Sequence, residues 1–405
     1  MNMKSVLAEK LTRISLSSEE ILRMKSLAKD FISSLKSEGL RAFVGGSLAK
    51  GTMVNREGKQ DIDIFAQFDY SEDILGFEKI LKKVKLPGTL KKVHGSRDYF
   101  QIICDEVILE IIPVVKNSDP ETAENVTDVS LSHVKHVGGA VKKNPGIADE
   151  IKLAKAFCQA NRCYGAESYI HGFSGYSLEV MVIHFGSFEK FLKNVGKKRV
   201  IDPLKYFKSE REVLSELNGS KLQSPLVLVD PTYKYRNVSA GLGYETFEKF
   251  LKVAGEFVKK PSLDYFEWKP VDIEGMKKMK GRFVKVDLKT DRQPGDIAGT
   301  KCKKILDFFV RELERKQQVV LAKEFDYDGG QDAQGYLVVV EKPEIECRGP
   351  STGLEEASNA FLKAKGKNVF ERKKFWWYRE KVTIESVFNL IKKFEKDMGA
   401  SGKLV

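Results

Sequence analysis

The chain has 405 residues, 42% of them apolar, with 69 Lys and Arg against 57 Asp and Glu, a formal charge of +12. That length allows about two to four domains, the apolar share excludes a disordered polymer, and no run of 18 apolar residues is present to span a bilayer. The positive surplus points to a polyanionic partner such as nucleic acid, nucleotide phosphate or an anionic membrane surface.

The opening MNMKSVLAEKLTRISLSSEE has no apolar signal-peptide core. Cys104, Cys158, Cys163, Cys302 and Cys347 include no CxxC pair, so reduced thiols in a cytoplasmic protein are expected. Ile21, Met24, Ala28, Phe31 and Leu35 recur at helical spacing, and Ser17 with Glu20 forms a capping-box pattern, predicting a helix over 18–38 that Gly39 stops. Short strands follow at Ala42-Phe43-Val44, at Asp61–Phe65 and at Val107–Val115, giving an α/β first domain. Asn144-Pro145 reads as the start of a helix over 145–161 closed by Gly165. Further helices are expected near 176–192 and 244–259. Beyond Pro261 strands at 282–288 and 336–341 alternate with helices near 301–316 and 384–397. The predicted fold class is α+β multidomain: a catalytic head over 1–140, a helical middle over 141–260 and an α+β body with a shortened tail over 261–405.

The chemistry concentrates in the first of these. In the strand Asp61-Ile62-Asp63-Ile64-Phe65 alternate side chains share a face, so both carboxylates project to one side. Two adjacent carboxylates repel unless a cation sits between them, and hard oxygen donors at this spacing suit Mg²⁺. Glu110 stands in the otherwise apolar run Val107-Ile108-Leu109-Glu110-Ile111-Ile112-Pro113, where an ionised group is costly without a partner or a metal. A third carboxylate on a neighbouring strand completes a two-metal arrangement for in-line attack on phosphate. Upstream, Val44-Gly45-Gly46-Ser47-Leu48-Ala49-Lys50 places glycines and a serine where a strand turns into a helix, a site where backbone N–H groups meet phosphate. The pattern G-x-x-x-x-G-K-[ST] is absent, so it is not a Walker A loop.

The Gly46-Ser47 turn, Asp61-x-Asp63 and a third acidic strand resemble the nucleotidyltransferase superfamily. Lys155-Ala156-Phe157, Tyr164-Gly165-Ala166-Glu167, Gly172-Phe173-Ser174-Gly175-Tyr176-Ser177-Leu178-Glu179, Phe185-Gly186-Ser187-Phe188, Val229-Asp230-Pro231 and Arg236-Asn237-Val238-Ser239-Ala240 narrow the resemblance to the archaeal (class I) CCA-adding enzymes. It covers nearly the whole chain, densely over the first two thirds. It implies a polymerase-β-like head and template-independent addition and repair of the tRNA 3′-terminal CCA from CTP and ATP, with release of pyrophosphate. It also implies two Mg²⁺ ions on Asp61, Asp63 and Glu110, and nucleotide contacts from Gly46, Ser47, Lys50, His133, Lys155, Tyr164 and Arg236. The order Asp-x-Asp then Glu departs from the family's usual Glu-x-Asp then Asp. Where the family usually has Asp-Arg-[ST]-Pro-x-His, Asp128-Val129-Ser130-Leu131-Ser132-His133 lacks the Arg and the Pro, and Asn55–Lys59 lengthens the path from Ser47 to Asp61.

Read without the resemblance, Lys155 belongs to a solvated helix face, His133 and Arg236 to the surface, and Tyr164 to a helix cap. For the RNA, Lys197, Lys198 and Arg199 form one basic cluster, and Arg372, Lys373 and Lys374 form another interleaved with Phe370, Phe375, Trp376, Trp377 and Tyr378. The expected partner is tRNA, through its acceptor stem and 3′ end, with no membrane; a homodimer is left open. The competing readings are a poly(A) polymerase or oligonucleotide synthetase of the same superfamily, and a non-catalytic RNA-binding protein on this fold.

Overall fold

The computed structural model describes residues 2–405 apart from 56–57, 96, 118–119, 121–122 and 124. Two residues of the lengthened Asn55–Lys59 path, Arg56 and Glu57, therefore lie outside the described residues. The chain divides into two compact units, residues 1–166 with 170–268, and residues 167–169 with 269–405.

The first unit opens with helices α1 (Met3–Ile14) and α2 (Ser18–Ser37), then β1 (Arg41–Val44), the one-turn helix α3 (Gly46–Lys50), β2 (Gln60–Phe68), α4 (Phe77–Leu81), β3 (Thr89–Val93), β4 (Tyr99–Ile103) and β5 (Val107–Val115). The strands form one mixed sheet in the order β1-β2-β5-β4-β3, in which β2 and β5 run parallel and the other pairs antiparallel. Met24, Ala28, Phe31 and Leu35 of α2 bury one stripe in the core that also holds Ile62 and Ile64 of β2 and Leu109 and Ile111 of β5. The capping box at Ser17 and Glu20 is formed, and Gly39 takes the left-handed conformation (φ +80°) that ends the helix.

Helices α5 (Ser130–Lys143), α6 (Gly146–Ala160), α7 (Gly175–Phe185) and α8 (Phe188–Asn194) follow, then β6 (Val200–Ile201), α9 (Glu210–Glu216), β7 (Val227–Asp230), β8 (Tyr233–Asn237) and α10 (Tyr244–Lys259). Their core is rich in phenylalanine: Phe157, Phe173, Phe188, Phe191, Phe250 and Phe257 are each at most 1% exposed, and Val6 and Ile14 of α1 join them. Edge-to-face pairs such as Phe173 with Phe250 (ring centroids 4.9 Å apart) give this core directional contacts beyond area burial.

Three expectations are corrected here. Asn144 caps the end of α5, so Pro145 and not Asn144 stands at the α6 boundary. Gly165 does not close α6; Arg162 takes the left-handed position (φ 57°) there. The single helix expected near 176–192 is two helices, because Gly186 (φ +82°) terminates α7 and Ser187 caps α8.

The second unit holds α11 (Ile273–Lys277), β9 (Arg282–Lys289), α12 (Asp296–Arg315), β10 (Val319–Tyr327), β11 (Asp332–Val340), β12 (Glu344–Ser351), α13 (Glu355–Lys365), β13 (Val369–Arg372), β14 (Phe375–Lys381), α14 (Ile384–Ile391), α15 (Glu395–Met398) and β15 (Ser401–Leu404). An antiparallel sheet β10-β11-β9-β15 packs on α12 and α14 through Ile305, Phe309, Val387 and Phe388. A second sheet, β12-β14-β13, carries the aromatic and basic run. Helix α12 begins at Asp296, five residues before its expected start, and the 384–397 helix is broken after Ile391.

Candidate active site

The parallel register of β2 and β5 sets Asp63 opposite Glu110, with Asp61 opposite Ile108. Because the strands are parallel neighbours, the three acidic residues fall on one face of the sheet while Ile62, Ile64, Leu109 and Ile111 fill the other. Asp61 is exposed and Asp63 and Glu110 are partly covered. Burial raises Asp63 to about 6, a shift that Asp61 reinforces and that Lys50 and Lys155 oppose. Burial raises Glu110 to about 7, reinforced by Asp63 and opposed by the Gln101 hydrogen bond, whose Nε2 donates to Glu110 Oε1 at 2.8 Å. Both groups hold protons more tightly than ordinary carboxyls, first because burial disfavours their charged forms and then because neighbouring acids repel. Among the described residues no three His, Cys, Asp or Glu side chains are drawn together as a metal-holding group.

The turn after β1 closes over them. The Gly45 amide donates to Asp63 O at 2.8 Å, continuing the β1–β2 ladder. Gly46 lies at φ +54°, and a Cβ on it would stand 1.6 Å from Asp63 Oδ2. Only glycine permits both the backbone angle and this approach. Ser47 follows at the start of α3, and with Thr52, Gln60, Asp61, Lys155 and Tyr164 it lines a small cleft.

Behind the turn sits a buried ionic cluster. Lys50 Nζ donates to Glu179 Oε2 at 2.8 Å, Lys155 Nζ to Glu179 Oε1 at 2.8 Å, and Thr52 Oγ1 to the same Oε1 at 2.8 Å. Burial alone would raise Glu179; Lys155 and Lys50 outweigh it and hold the carboxyl down at about 2. Lys155 is thus no solvated lysine. Its helix α6 is buried around most of its circumference, and Lys155 itself is 3% exposed.

A second cluster adjoins it. Helix α7 presents Tyr176 and Glu179, three residues apart, on one face. The Tyr176 ring stacks on His133 (centroids 3.8 Å apart), and its hydroxyl donates to Asp230 Oδ1 at 3.0 Å. His133 Nε2 lies 3.2 Å from Asp230 Oδ2 and 3.0 Å from Arg236 Nη1, while Arg236 Nη1 donates to Asp230 Oδ2 at 2.7 Å. Burial lowers His133, with Asp230 opposing and Arg236 and Lys50 assisting. For Asp230, burial pulls upward, but the His133 hydrogen bond and charge, Arg236 and the Thr232 amide win and hold the carboxyl below the usual range. His133 is therefore buried, not superficial, and Arg236 is partly buried beside it. Helix α5 is fixed at its start by Asp128, which accepts from the Val115 amide at 2.8 Å and pairs with Arg97. The guanidinium missing after Asp128 in the sequence thus comes from elsewhere in the chain.

The glycines of the 172–175 motif have steric reasons. A Cβ on Gly172 would meet Cys163 O at 2.4 Å, and one on Gly175 would meet Tyr164 Oη at 2.9 Å. Together they let the Tyr164–Phe173 bridge form and leave the Tyr164 ring room at the cleft.

The structure thus assembles Gly46, Ser47, Lys50, Asp61, Asp63, Glu110, His133, Lys155, Tyr164 and Arg236 within the first unit. Glu179 and Asp230 were not singled out from sequence, although each was a lone acid in an apolar run, the signal that singled out Glu110. Lys197, Lys198 and Arg199 are exposed after α8, and Arg372, Lys373 and Lys374 are exposed at the β13–β14 hairpin of the second unit. Trp377 is half-buried, with the Arg372 guanidinium 3.9 Å from its ring centroid.

A mixed sheet whose paired strands carry three acids under a glycine-serine turn, backed by a helical module, is the architecture of a nucleotidyltransferase. Residues 149–267 match the family model of the tRNA nucleotidyltransferase second domain. A CCA-adding enzyme of Nanoarchaeum equitans is 35% identical over 71% of this chain and 70% of its own, and one of Thermococcus gammatolerans is 25% identical over 100% and 92%. Among solved structures, a cytoplasmic RNA terminal U-transferase superposes with a TM-score of 0.53 at 12% identity over 66% of this chain and 99% of its own. The Cid1 terminal uridylyl transferase gives 0.52 at 12% over 66% and 97%. Those two likenesses concern the fold alone. The chain belongs to the family of CCA-adding enzymes.

Proposed function

We propose that this protein adds and repairs the 3′-terminal CCA of tRNA from CTP and ATP, without a nucleic-acid template. In each step the tRNA 3′ oxygen attacks the nucleotide α-phosphorus, its proton is lost, and pyrophosphate leaves with the cleaved bond's electron pair. The observation that carries the reading is the seating of Asp63, beside Glu110, directly beneath the Gly46-Ser47 turn.

The donor types suit a divalent cation: three hard oxygen ligands on one face of the sheet, two of them raised by burial and by neighbouring acids, with Gly46 lacking the Cβ that would crowd Asp63. Asp61, Asp63 and Glu110 would hold Mg²⁺, two ions in our reading. Bound there, Mg²⁺ supplies Lewis acidity toward the attacking and leaving oxygens. The longer Glu110 takes the place of the family's third Asp.

The remaining residues bind and orient. Ser47 and the amides opening α3 receive phosphate, and Lys50 and Lys155 balance its charge. Tyr164 offers a ring and a hydroxyl at the cleft. His133 and Arg236, fixed by Asp230 and Tyr176, face the nucleotide as an imidazole and a cationic donor. Lys197, Lys198 and Arg199, with Arg372, Lys373 and Lys374, neutralise RNA phosphates in a backbone-directed contact that suits one enzyme acting on all tRNAs.

The test is a tRNA ending at the discriminator base, incubated with CTP, ATP and MgCl₂. Addition of C, C and A followed by arrest is expected; a long A tail would favour a poly(A) polymerase, and no product a binding protein. Asp63→Ala is expected to lower incorporation by at least about 10³-fold, the scale of losing a preorganised electrostatic element, with tRNA affinity kept. Turnover surviving in that variant would remove Asp63 from the metal site.

A further inference from the structure

We propose that Glu179, secured by Lys155 and Thr52, is a positioning residue that aims Lys50 at the polyphosphate of the incoming nucleotide. The inference rests on the reading of the cleft as a nucleotide site and assigns a task to a residue that reading leaves out.

The three elements meet on one carboxylate. Lys50 comes from α3, Lys155 from α6 and Glu179 from α7, and Glu179 is 1% exposed. An ammonium group has three N–H donors. Those of Lys155 face Glu179 Oε1 at 2.8 Å, Thr52 Oγ1 at 3.0 Å and Thr52 O at 3.4 Å, so its donors are engaged within the platform and it meets the cleft through its charge alone. Lys50 has a different balance. Among the described residues its Nζ donates to Glu179 Oε2 alone and lies 5.7 Å from the Tyr176 ring centroid. Two of its N–H groups are left for an incoming acceptor.

A purely structural role accounts poorly for this arrangement. The neighbours Leu178, Val180, Met181 and Val182 on α7 are buried and apolar, and a buried ion pair is often no more stabilising than well-packed apolar residues of similar volume. What the carboxylate supplies is geometry. Without it, Asp63, on which both lysines already act electrostatically, is the competing acid. Lys50 would swing toward the acidic face and away from the phosphate path beside Ser47. Glu179 thus keeps the cationic and the anionic halves of the site apart.

Equilibrium dialysis of labelled CTP and steady-state CTP kinetics on a tRNA lacking CCA test this with the full chain. Glu179→Gln is expected to weaken CTP binding and raise its KM about tenfold, the lower end for a charge-assisted hydrogen bond, with a smaller change in kcat and unchanged tRNA affinity. Adding Lys50→Met to Glu179→Gln is expected to cost nothing further, because Glu179 acts through Lys50. Should Glu179→Gln fold poorly, Glu179→Gln with Lys155→Met restores the cluster's original net charge, and Lys50→Met is added to that background with the same expectation. Wild-type CTP affinity in a Glu179 variant, or a further tenfold loss on adding Lys50→Met, overturns the proposal. Failure of the unsubstituted protein to bind CTP would instead overturn the nucleotide-site reading and the proposal with it.

Discussion

At the scale of single residues, the site is a balance between charges that repel and charges that are held. Asp63 and Glu110 keep their protons up to about 6 and 7, burial being the larger cause and neighbouring acids the next. Their ordinary values lie near 4, so the folded chain without metal prefers them protonated. Their contribution to stability is therefore complete below about pH 4 and is lost as pH rises through 6 and then 7. A cation binds the ionised forms and reverses that loss. MgCl₂ is accordingly expected to raise the thermal midpoint more at pH 8 than at pH 5, and Asp63→Asn is expected to shrink the difference. A midpoint shift in differential scanning calorimetry that is equal at both values would contradict the metal assignment. Glu179 shows the opposite arrangement, being more deeply buried but clamped by two ammonium groups and so ionised throughout this range.

At the scale of elements, local signals decided what was legible in the sequence. Helix α2 declared itself through its capping box and apolar stripe, β5 through nine nearly continuous apolar residues, and α10 through both its bounds. Strands β3 and β4 went unread: β3 is an edge strand of sequence TLKKV, and such edges carry lysines in place of a clean alternation. The Lys155 environment was illegible for another reason. A helical pattern weighs one helix by itself, whereas Thr52 and α7 cover the face on which Lys155 lies. One element retains a strain that bears on function. The β13–β14 hairpin turns through Lys373 (φ 51°) and Lys374 (φ 63°), where Asn-Gly is the preferred pair and a side chain in the left-handed region costs about 1–2 kcal/mol per residue. Lys373→Asn with Lys374→Gly is expected to stabilise the chain by about 1 kcal/mol in urea denaturation and to weaken tRNA binding in the same protein. A stabilised variant with full tRNA affinity would remove these two lysines from the RNA surface.

At the scale of the whole molecule, the excess of basic residues is distributed and not confined to a tail: after residue 260 there are 29 Lys and Arg against 24 Asp and Glu, and the rest of the +12 lies before it. Each unit also presents its own exposed basic cluster, Lys197-Lys198-Arg199 in the first and Arg372-Lys373-Lys374 in the second. If both clusters touch tRNA phosphates, binding releases counterions from each, and the logarithm of affinity falls with the logarithm of salt by roughly one per phosphate contact. Replacing Lys197, Lys198 and Arg199 by Gln is expected to reduce that slope by about 2–3, and replacing Arg372, Lys373 and Lys374 by Gln to reduce it by a similar amount. Removal of both sets is expected to reduce it by the sum, since each phosphate contact releases its own counterions. Fluorescence titration of tRNA between 50 mM and 200 mM salt measures the slope, and the KM for CTP serves as the internal control because neither cluster lines the cleft. A slope unchanged by one set would place that cluster outside the RNA path, while a CTP KM that rises with it would place the cluster at the nucleotide instead.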